Sequence, residues 1–113
     1  MKQRETGKLG ELMSARYLQQ SGCRLLAMNY QTRYGEIDLI VQDGDTVVFV
    51  EVKTRRDAAF APAFAAVTPA KQQRLRITAQ QWMAEKGERP ARFDVVEVYT
   101  AAQQVHHIKN AFT

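Results

Sequence analysis

The chain has 113 residues, of which 45% are hydrophobic, and this length and composition predict one folded domain spanning residues 1–113. The net charge of +4 is compatible with a polyanionic partner. No apolar run reaches the roughly 18 residues that a membrane-spanning helix needs. The N-terminus lacks the apolar core of a signal peptide, and the single cysteine, Cys23, excludes an internal disulfide. These features predict a cytoplasmic protein with no membrane partner.

The first predicted helix runs from about Arg4 to Gln20 and stops before Gly22. We expect its apolar stripe to face the core, namely Leu9, Leu12, Met13 and Tyr17. Glu11 lies beside this stripe and either looks across at the sheet or stays exposed near the positive end of the helix dipole. Gly7 and Gly10 favour close packing of the helix against another element.

An antiparallel three-stranded unit is predicted next. Arg24 to Tyr30 has enough apolar residues for a strand, and Gln31 to Tyr34 is predicted as a loop. Two further strands follow, Glu36 to Gln42 and Thr46 to Thr54, joined by the turn signal Asp43-Gly44-Asp45.

The second half of the chain predicts a helix followed by two strands. Thr68 supplies a capping hydroxyl before Pro69, and the helix is expected to run to about Lys86 with an inward stripe of Leu75, Ala79, Trp82 and Met83. The strands are predicted at Phe93 to Tyr99 and at Val105 to Ile108. Because a helix separates the hairpin from Phe93 to Tyr99, a parallel crossover is expected, which gives an α/β fold with a mixed sheet.

The segment from Asp57 to Val67 has no clear period, and its conformation is not predicted. It is rich in alanine and contains Phe60 and Phe64. We expect these two side chains to pack on the core or on a second subunit, with a wedge at a nucleic-acid junction as the alternative.

Three charged residues interrupt the apolar hairpin, namely Asp38, Glu51 and Lys53. Side chains alternate along a strand, so a connecting loop with an even number of residues places Asp38 on the face that carries Glu51 and Lys53. Two carboxylates held that close in a partly buried site repel each other and normally require a cation, and oxygen ligands favour Mg²⁺ or Mn²⁺. The alternative is an exposed strand end with an ordinary ion pair between Glu51 and Lys53.

The order of these residues resembles a known nuclease signature. Asp38 followed by Glu51-Val52-Lys53 resembles the PD-(D/E)xK motif of the restriction-endonuclease-like fold, although no proline precedes Asp38. The stretches Gly35-Glu36-Ile37-Asp38 and Phe49-Val50-Glu51-Val52-Lys53-Thr54-Arg55 are closer still to the UPF0102 (YraN) family, which is similar to Holliday-junction resolvases. The resemblance implies a restriction-endonuclease-like fold with a central mixed sheet flanked by helices.

The resemblance also implies roles for individual residues. Asp38, Glu51, the Val52 carbonyl and Glu11 would hold one or two Mg²⁺ or Mn²⁺ ions. Lys53 would orient the attacking water or stabilise charge on the phosphorus, so Asp38, Glu51, Lys53 and Glu11 form the candidate catalytic set.

Several basic residues are candidates for phosphate contacts. They border the hairpin or open the second predicted helix: Arg33, Arg55, Arg56, Lys71 and Arg74. For each of them a solvated surface charge is the alternative. His106 and His107 point to opposite faces of a strand and cannot together chelate a metal, while Asp94 and Glu97 are interpreted as structural.

The predicted function is therefore metal-dependent hydrolysis of phosphodiester bonds in DNA, with branched or junction DNA among the candidate substrates. The first alternative is a non-catalytic nucleic-acid-binding module, or a subunit of a DNA-processing complex, with the same fold. A protein-interaction domain with a relic site is the third class. Resolution of a four-way junction needs two incisions, so that activity would require a homodimer.

Overall fold

The computed structural model describes residues 3–56 and 67–113. Within these ranges the elements follow in the order α1 (Gln3–Gln20), β1 (Arg24–Thr32), β2 (Gly35–Asp43), β3 (Thr46–Arg55), α2 (Pro69–Lys86), β4 (Ala91–Tyr99) and β5 (Gln104–Phe112). Phe60 and Phe64 lie outside the described residues. Neither α1 nor α2 has the length and apolar character needed to cross a membrane.

The described strands form one sheet in the order β1-β2-β3-β4-β5. Its neighbours pair antiparallel except β3 and β4, which are parallel and are connected through α2. This arrangement confirms the predicted α/β fold with a mixed sheet and is consistent with a restriction-endonuclease-like fold.

Two strands extend further than their apolar residues predict. β1 continues to Thr32, which pairs with Gly35, so the predicted Gln31 to Tyr34 loop shrinks to a turn at Arg33 and Tyr34. β5 runs from Gln104, opposite Tyr99, to Phe112. In both cases backbone pairing with the neighbouring strand fixes the end, and the polar side chains stay outside the core.

The hydrophobic core divides between the two faces of the sheet. One cluster packs Val47, Phe49 and Val95 of the sheet against the buried residues of α2. Leu75, Ala79 and Trp82 are buried, which agrees with the predicted inward stripe of this helix. The other cluster lies under α1 and is built from Ala15, Leu18, Leu39, Val41, Val48, Val50, Val96 and Val98.

The predicted inward stripe of α1 is partly wrong. Leu9 and Leu12 are exposed, at 37% and 51% of their surface. Small residues lie against the sheet instead, because a Cβ at Gly10 would meet the side chain of Thr54, and Ser14 is fully buried one turn later. α1 therefore approaches β3 closely, which brings Glu11 to the rim of the sheet.

Candidate functional site

The hairpin of β2 and β3 has the even connection that places Asp38 beside Glu51. Asp43 pairs with Thr46 across a two-residue turn, and the register continues to Leu39 opposite Val50. Gly44 has a φ of 63°, which the first central position of a type II′ turn requires. One step beyond the last pair, the same register sets Asp38 opposite Glu51.

Asp38 lies where β2 and β3 stop pairing, and its carboxylate bridges the two strands. Its Oδ2 accepts a hydrogen bond of 2.8 Å from the backbone N–H of Val52. Burial, followed by the adjoining Glu51 carboxyl, raises the pKa of Asp38 to about 8, and the hydrogen bond from the Val52 N–H offsets only part of this rise. Near neutral pH the Asp38 carboxyl group therefore holds a proton in the absence of a bound metal ion.

Two ammonium groups accompany this carboxylate pair. Lys71, in the first turn of α2, forms an ion pair with Glu51, whose side chain is only 5% exposed. Burial lowers the pKa of Lys53, and the neighbouring charge of Lys71 lowers it further. The site thus combines two carboxylates with two amines, one of which is poised to lose its proton more readily than an ordinary lysine.

The start of α2 sets the position of Lys71. The Thr68 side chain accepts a 3.2 Å hydrogen bond from the Lys71 N–H, and Pro69 occupies the first helical position, as predicted. A lysine in the first turn faces the positive end of the helix dipole, which disfavours it. Contact with Glu51 offsets that repulsion, and the contact raises the pKa of Lys71 although burial acts to lower it.

Glu11 lies near the pair but is held in a different contact. The amide of Asn29 donates hydrogen bonds of 3.0 Å to Glu11 and to Glu36, at a position where Asn29 has a φ of 53°. The charge of Glu11 is the last and smallest influence on the pKa of Asp38. Among the described residues, no group of three or more histidine, cysteine, aspartate or glutamate side chains is arranged to hold a metal ion.

The predicted phosphate-contacting residues are dispersed around the site. Lys71 contacts Glu51, while Arg55 lies 3.5 Å from Glu97 on β4. Arg56 and Arg74 are exposed. Arg33 stacks over the Tyr34 ring and hydrogen-bonds its hydroxyl, which places both at the β1–β2 turn.

Sequence reasoning missed the buried network around Asp94. This carboxylate accepts hydrogen bonds from Arg92 and from the Asn110 N–H, and it bonds His107, whose other ring nitrogen meets the Tyr17 hydroxyl. Burial acts to raise the pKa of Asp94, but these partners lower it overall. The signal was a charged residue between Phe93 and Val95 in an apolar strand. The network supports the prediction that Asp94 is structural.

Comparison with known proteins gives a match to one family model. The model of the uncharacterised protein family UPF0102 matches residues 10–98. The chain belongs to the UPF0102 family.

Three relatives illustrate how far this kinship extends. A UPF0102 protein of Rhodococcus jostii is 41% identical over 94% of both chains. One from Syntrophus aciditrophicus is 46% identical over 95% of this chain and 87% of its own. One from Yersinia pseudotuberculosis is 45% identical over 99% of this chain and 97% of its own. The family membership predicted from the hairpin motifs is confirmed.

Proposed function

We propose that this UPF0102 chain is a metal-dependent endonuclease that hydrolyses phosphodiester bonds in DNA. The observation that carries the proposal is the meeting of the Asp38 and Glu51 carboxyl groups where β2 and β3 diverge, with Lys53 two residues beyond Glu51. Two adjoining carboxylates in a largely buried position destabilise a fold, because each loses hydration and repels the other. Selection for stability alone would therefore not favour them. A functional requirement for a cation explains the arrangement.

The residues present fit a hard divalent ion. Mg²⁺ is commonly held by one or two carboxylates and completes its shell with water and substrate phosphate oxygens. Asp38 and Glu51 would hold Mg²⁺ or Mn²⁺, with the Val52 carbonyl and Glu11 as further candidate ligands. When bound, such an ion supplies Lewis-acid polarisation of the phosphoryl oxygen and a water of lowered pKa.

The chain's own amines would position the reactants. Lys53 shares the strand face of Glu51, and its lowered pKa suits it to take a proton from water or to donate a hydrogen bond to a phosphate oxygen. Lys71 would neutralise a phosphate beside the carboxylate pair. Arg33, Arg55, Arg56 and Arg74 would contact neighbouring phosphates along the strand.

A nucleic-acid-binding module without turnover is the second candidate. The Lys71 ammonium already compensates the charge of Glu51, so the fold does not depend on a metal to balance this carboxylate. Such a module would keep its affinity for DNA after loss of the carboxylates and would release no product with any metal.

The deciding experiment is a cleavage screen across single-stranded, duplex, flap and junction DNA and RNA, each with Mg²⁺, Mn²⁺ or EDTA. We expect product only with metal, and we expect none from Glu51→Gln or Lys53→Ala. The matched control is Glu88→Gln, which removes an exposed carboxylate in the turn after α2. Failure of the purified protein to bind Mg²⁺ or Mn²⁺ would exclude the enzyme.

Oligomeric state and location belong to the same proposal. Junction cleavage by this chain would need a two-fold dimer, since one site makes one incision. Sedimentation of the protein with and without a four-way junction would test this. The single-domain organisation and the cytoplasmic location stay predictions.

A further inference from the structure

A second polar cluster lies beside the carboxylate pair on the same face of the sheet. Lys53 on β3 is the register neighbour of Glu97 on β4, and Glu97 is in turn paired with His106 on β5. Adjacent strands lie about 4.8 Å apart, so the His106 backbone is roughly 10 Å from that of Lys53. The row is continuous with the proposed active site and runs towards the β5 edge of the sheet.

Glu97 is the buried centre of this cluster. It is 3% exposed, and its carboxylate accepts a 2.8 Å hydrogen bond from the Tyr99 hydroxyl. The same carboxylate lies 3.0 Å from His106 Nδ1 and 3.5 Å from Arg55 Nε. A buried carboxylate is costly unless it is paired, so Glu97 fixes these partners in place. Their positions are thereby set before any ligand arrives.

The two basic partners present their outer parts to solvent. The His106 side chain is 64% exposed and that of Arg55 is 25% exposed. With Nδ1 directed at Glu97, the imidazole presents Nε2 as its second donor when it is protonated. A histidine held in this way by a carboxylate is oriented for contact with an outside group.

His107 shows what a purely structural histidine looks like in the same strand. It lies on the opposite face with a side chain 7% exposed, and both ring nitrogens contact protein groups, Tyr17 at 3.1 Å and Asp94 at 2.7 Å. His106 differs from His107 in its exposure and in the face of the sheet on which it lies. Its exposed side is therefore accessible to an outside group.

We propose that Arg55, Glu97 and His106 form a phosphate-binding subsite, which we call the Glu97 subsite, and that it holds a DNA backbone phosphate near the one over Asp38 and Glu51. DNA carries one phosphate per about 3.4 Å of axis in each strand, so a subsite roughly 10 Å from Lys53 lies within reach of a nearby phosphate. Arg55 and His106 bind the phosphate oxygens, and Glu97 positions both. The inference rests on the proposed function only in taking DNA as the ligand.

The histidine gives the Glu97 subsite a pH dependence. Protonation gives a histidine a positive charge, so phosphate binding here strengthens as the pH falls. Among the described residues, Glu97 contacts His106 directly, while Tyr99 from β4 and Arg55 and Lys53 from β3 are neighbours of Glu97. α1 packs on the other face.

The test is a binding titration with a short fluorescein-labelled single-stranded DNA in EDTA. The parent protein carries Asp38→Asn, which removes a carboxyl group that itself has a pKa of about 8. We expect affinity to rise about fivefold from about pH 8 to about pH 6 in the parent, and less than about twofold after addition of His106→Gln. The dependence of log K on log salt should also be steeper by about 0.7 at the lower pH in the parent alone.

Two further variants complete the design. Glu97→Gln, which leaves Arg55 and His106 without their carboxylate, should also reduce the pH response. Lys109→Gln is the control: it removes a positive charge from the same strand, and the charge of Lys109 acts on Cys23, on the α1 face of the sheet. This variant should keep the full pH response. An unchanged pH response in His106→Gln would overturn the proposal.

A measurement on the wild-type chain gives an independent result. Addition of the same DNA at about pH 6 in EDTA should shift the imidazole NMR signals of His106 and leave those of His107 unchanged. Unshifted His106 signals at saturating DNA would contradict the Glu97 subsite. Neither experiment involves cleavage. A protein that cleaves no substrate but binds DNA in this pH-dependent way would therefore refute the proposed endonuclease activity and support the Glu97 subsite.

Discussion

Replacement of Asp38 by asparagine should stabilise the metal-free protein while it destroys the proposed metal site. Burial, followed by the contact with Glu51, raises the pKa of Asp38 from 3.8 to about 8, so the folded state disfavours the ionised carboxylate. Asparagine has nearly the same shape, can accept the Val52 N–H and can donate to Glu51. The substitution therefore removes the repulsion and keeps the hydrogen bonds.

The size of the effect follows from that pKa. A rise from 3.8 to about 8 corresponds to at most about 6 kcal/mol between the two protonation states. Two ammonium groups stand close by and favour the ionised form of Asp38, so we expect only about 2 kcal/mol of stabilisation near neutral pH. For a domain of this size that is a rise in Tm of roughly 8 °C.

The dependence on pH has a definite sign. Between about pH 4 and about pH 8 the folded protein holds a proton on Asp38 that the unfolded chain has released. The contribution of Asp38 to the free energy of unfolding of the wild type should therefore be highest below about pH 4. It should fall as the pH rises towards about 8. Asp38→Asn should flatten this decline, so its advantage grows with pH.

The assay is urea unfolding in EDTA at several values between about pH 5 and pH 8. Asp45→Asn is the matched control, because it makes the same chemical change at an exposed carboxylate in the β2–β3 turn and should not alter the slope. Mg²⁺ or Mn²⁺ should stabilise the wild type most at about pH 8 and should not stabilise Asp38→Asn. An Asp38→Asn protein that is less stable than the wild type at about pH 8 would refute the reasoning.

Three further tests probe how the site is supported. Gly10→Ala should destabilise the protein by about 1–3 kcal/mol because the new Cβ would clash with Thr54. Gly7→Ala should stabilise the protein by about 0.5 kcal/mol because a Cβ there meets nothing within 4 Å. Thermal melting of the two variants measures both effects. Thr68→Ala should cost about 1 kcal/mol by removing the cap of α2, with Thr68→Ser close to wild type in urea unfolding. Lys71→Gln should tighten Mn²⁺ binding in a calorimetric titration, because the ammonium competes for the same carboxylate; weaker binding would assign Lys71 a supporting role.

The sheet and the carboxylate pair were predictable because both follow from local rules. Alternation of apolar residues and the turn at Gly44 fix the hairpin, and the even turn then fixes the side on which Asp38 meets Glu51. The cap at Thr68 fixes the start of α2 in the same local way.

The errors arose where contacts join distant elements. The stripe of α1 was judged by hydrophobicity, but close approach at Gly10 selected small residues for the buried face and left Leu9 and Leu12 exposed. The ion pair of Lys71 with Glu51 was not predicted, because it depends on how α2 docks against β3, which the sequence pattern does not encode. The phosphate contact of Lys71 stays a prediction. The role of Glu97 as the buried centre of a cluster depends likewise on pairing between β3, β4 and β5.

The ion pair of Lys71 with Glu51 changes how loss of a carboxylate should be interpreted. Removal of Glu51 alone leaves Lys71 partly buried at the positive end of α2 without its partner, so Glu51→Ala could lose activity through displacement of the helix rather than through loss of a metal ligand. Asp38 has no such partner on α2 among the described contacts, and its substitution should stabilise the fold. A protein that becomes more stable and inactive on Asp38→Asn would therefore separate catalysis from folding, which Glu51→Ala cannot do.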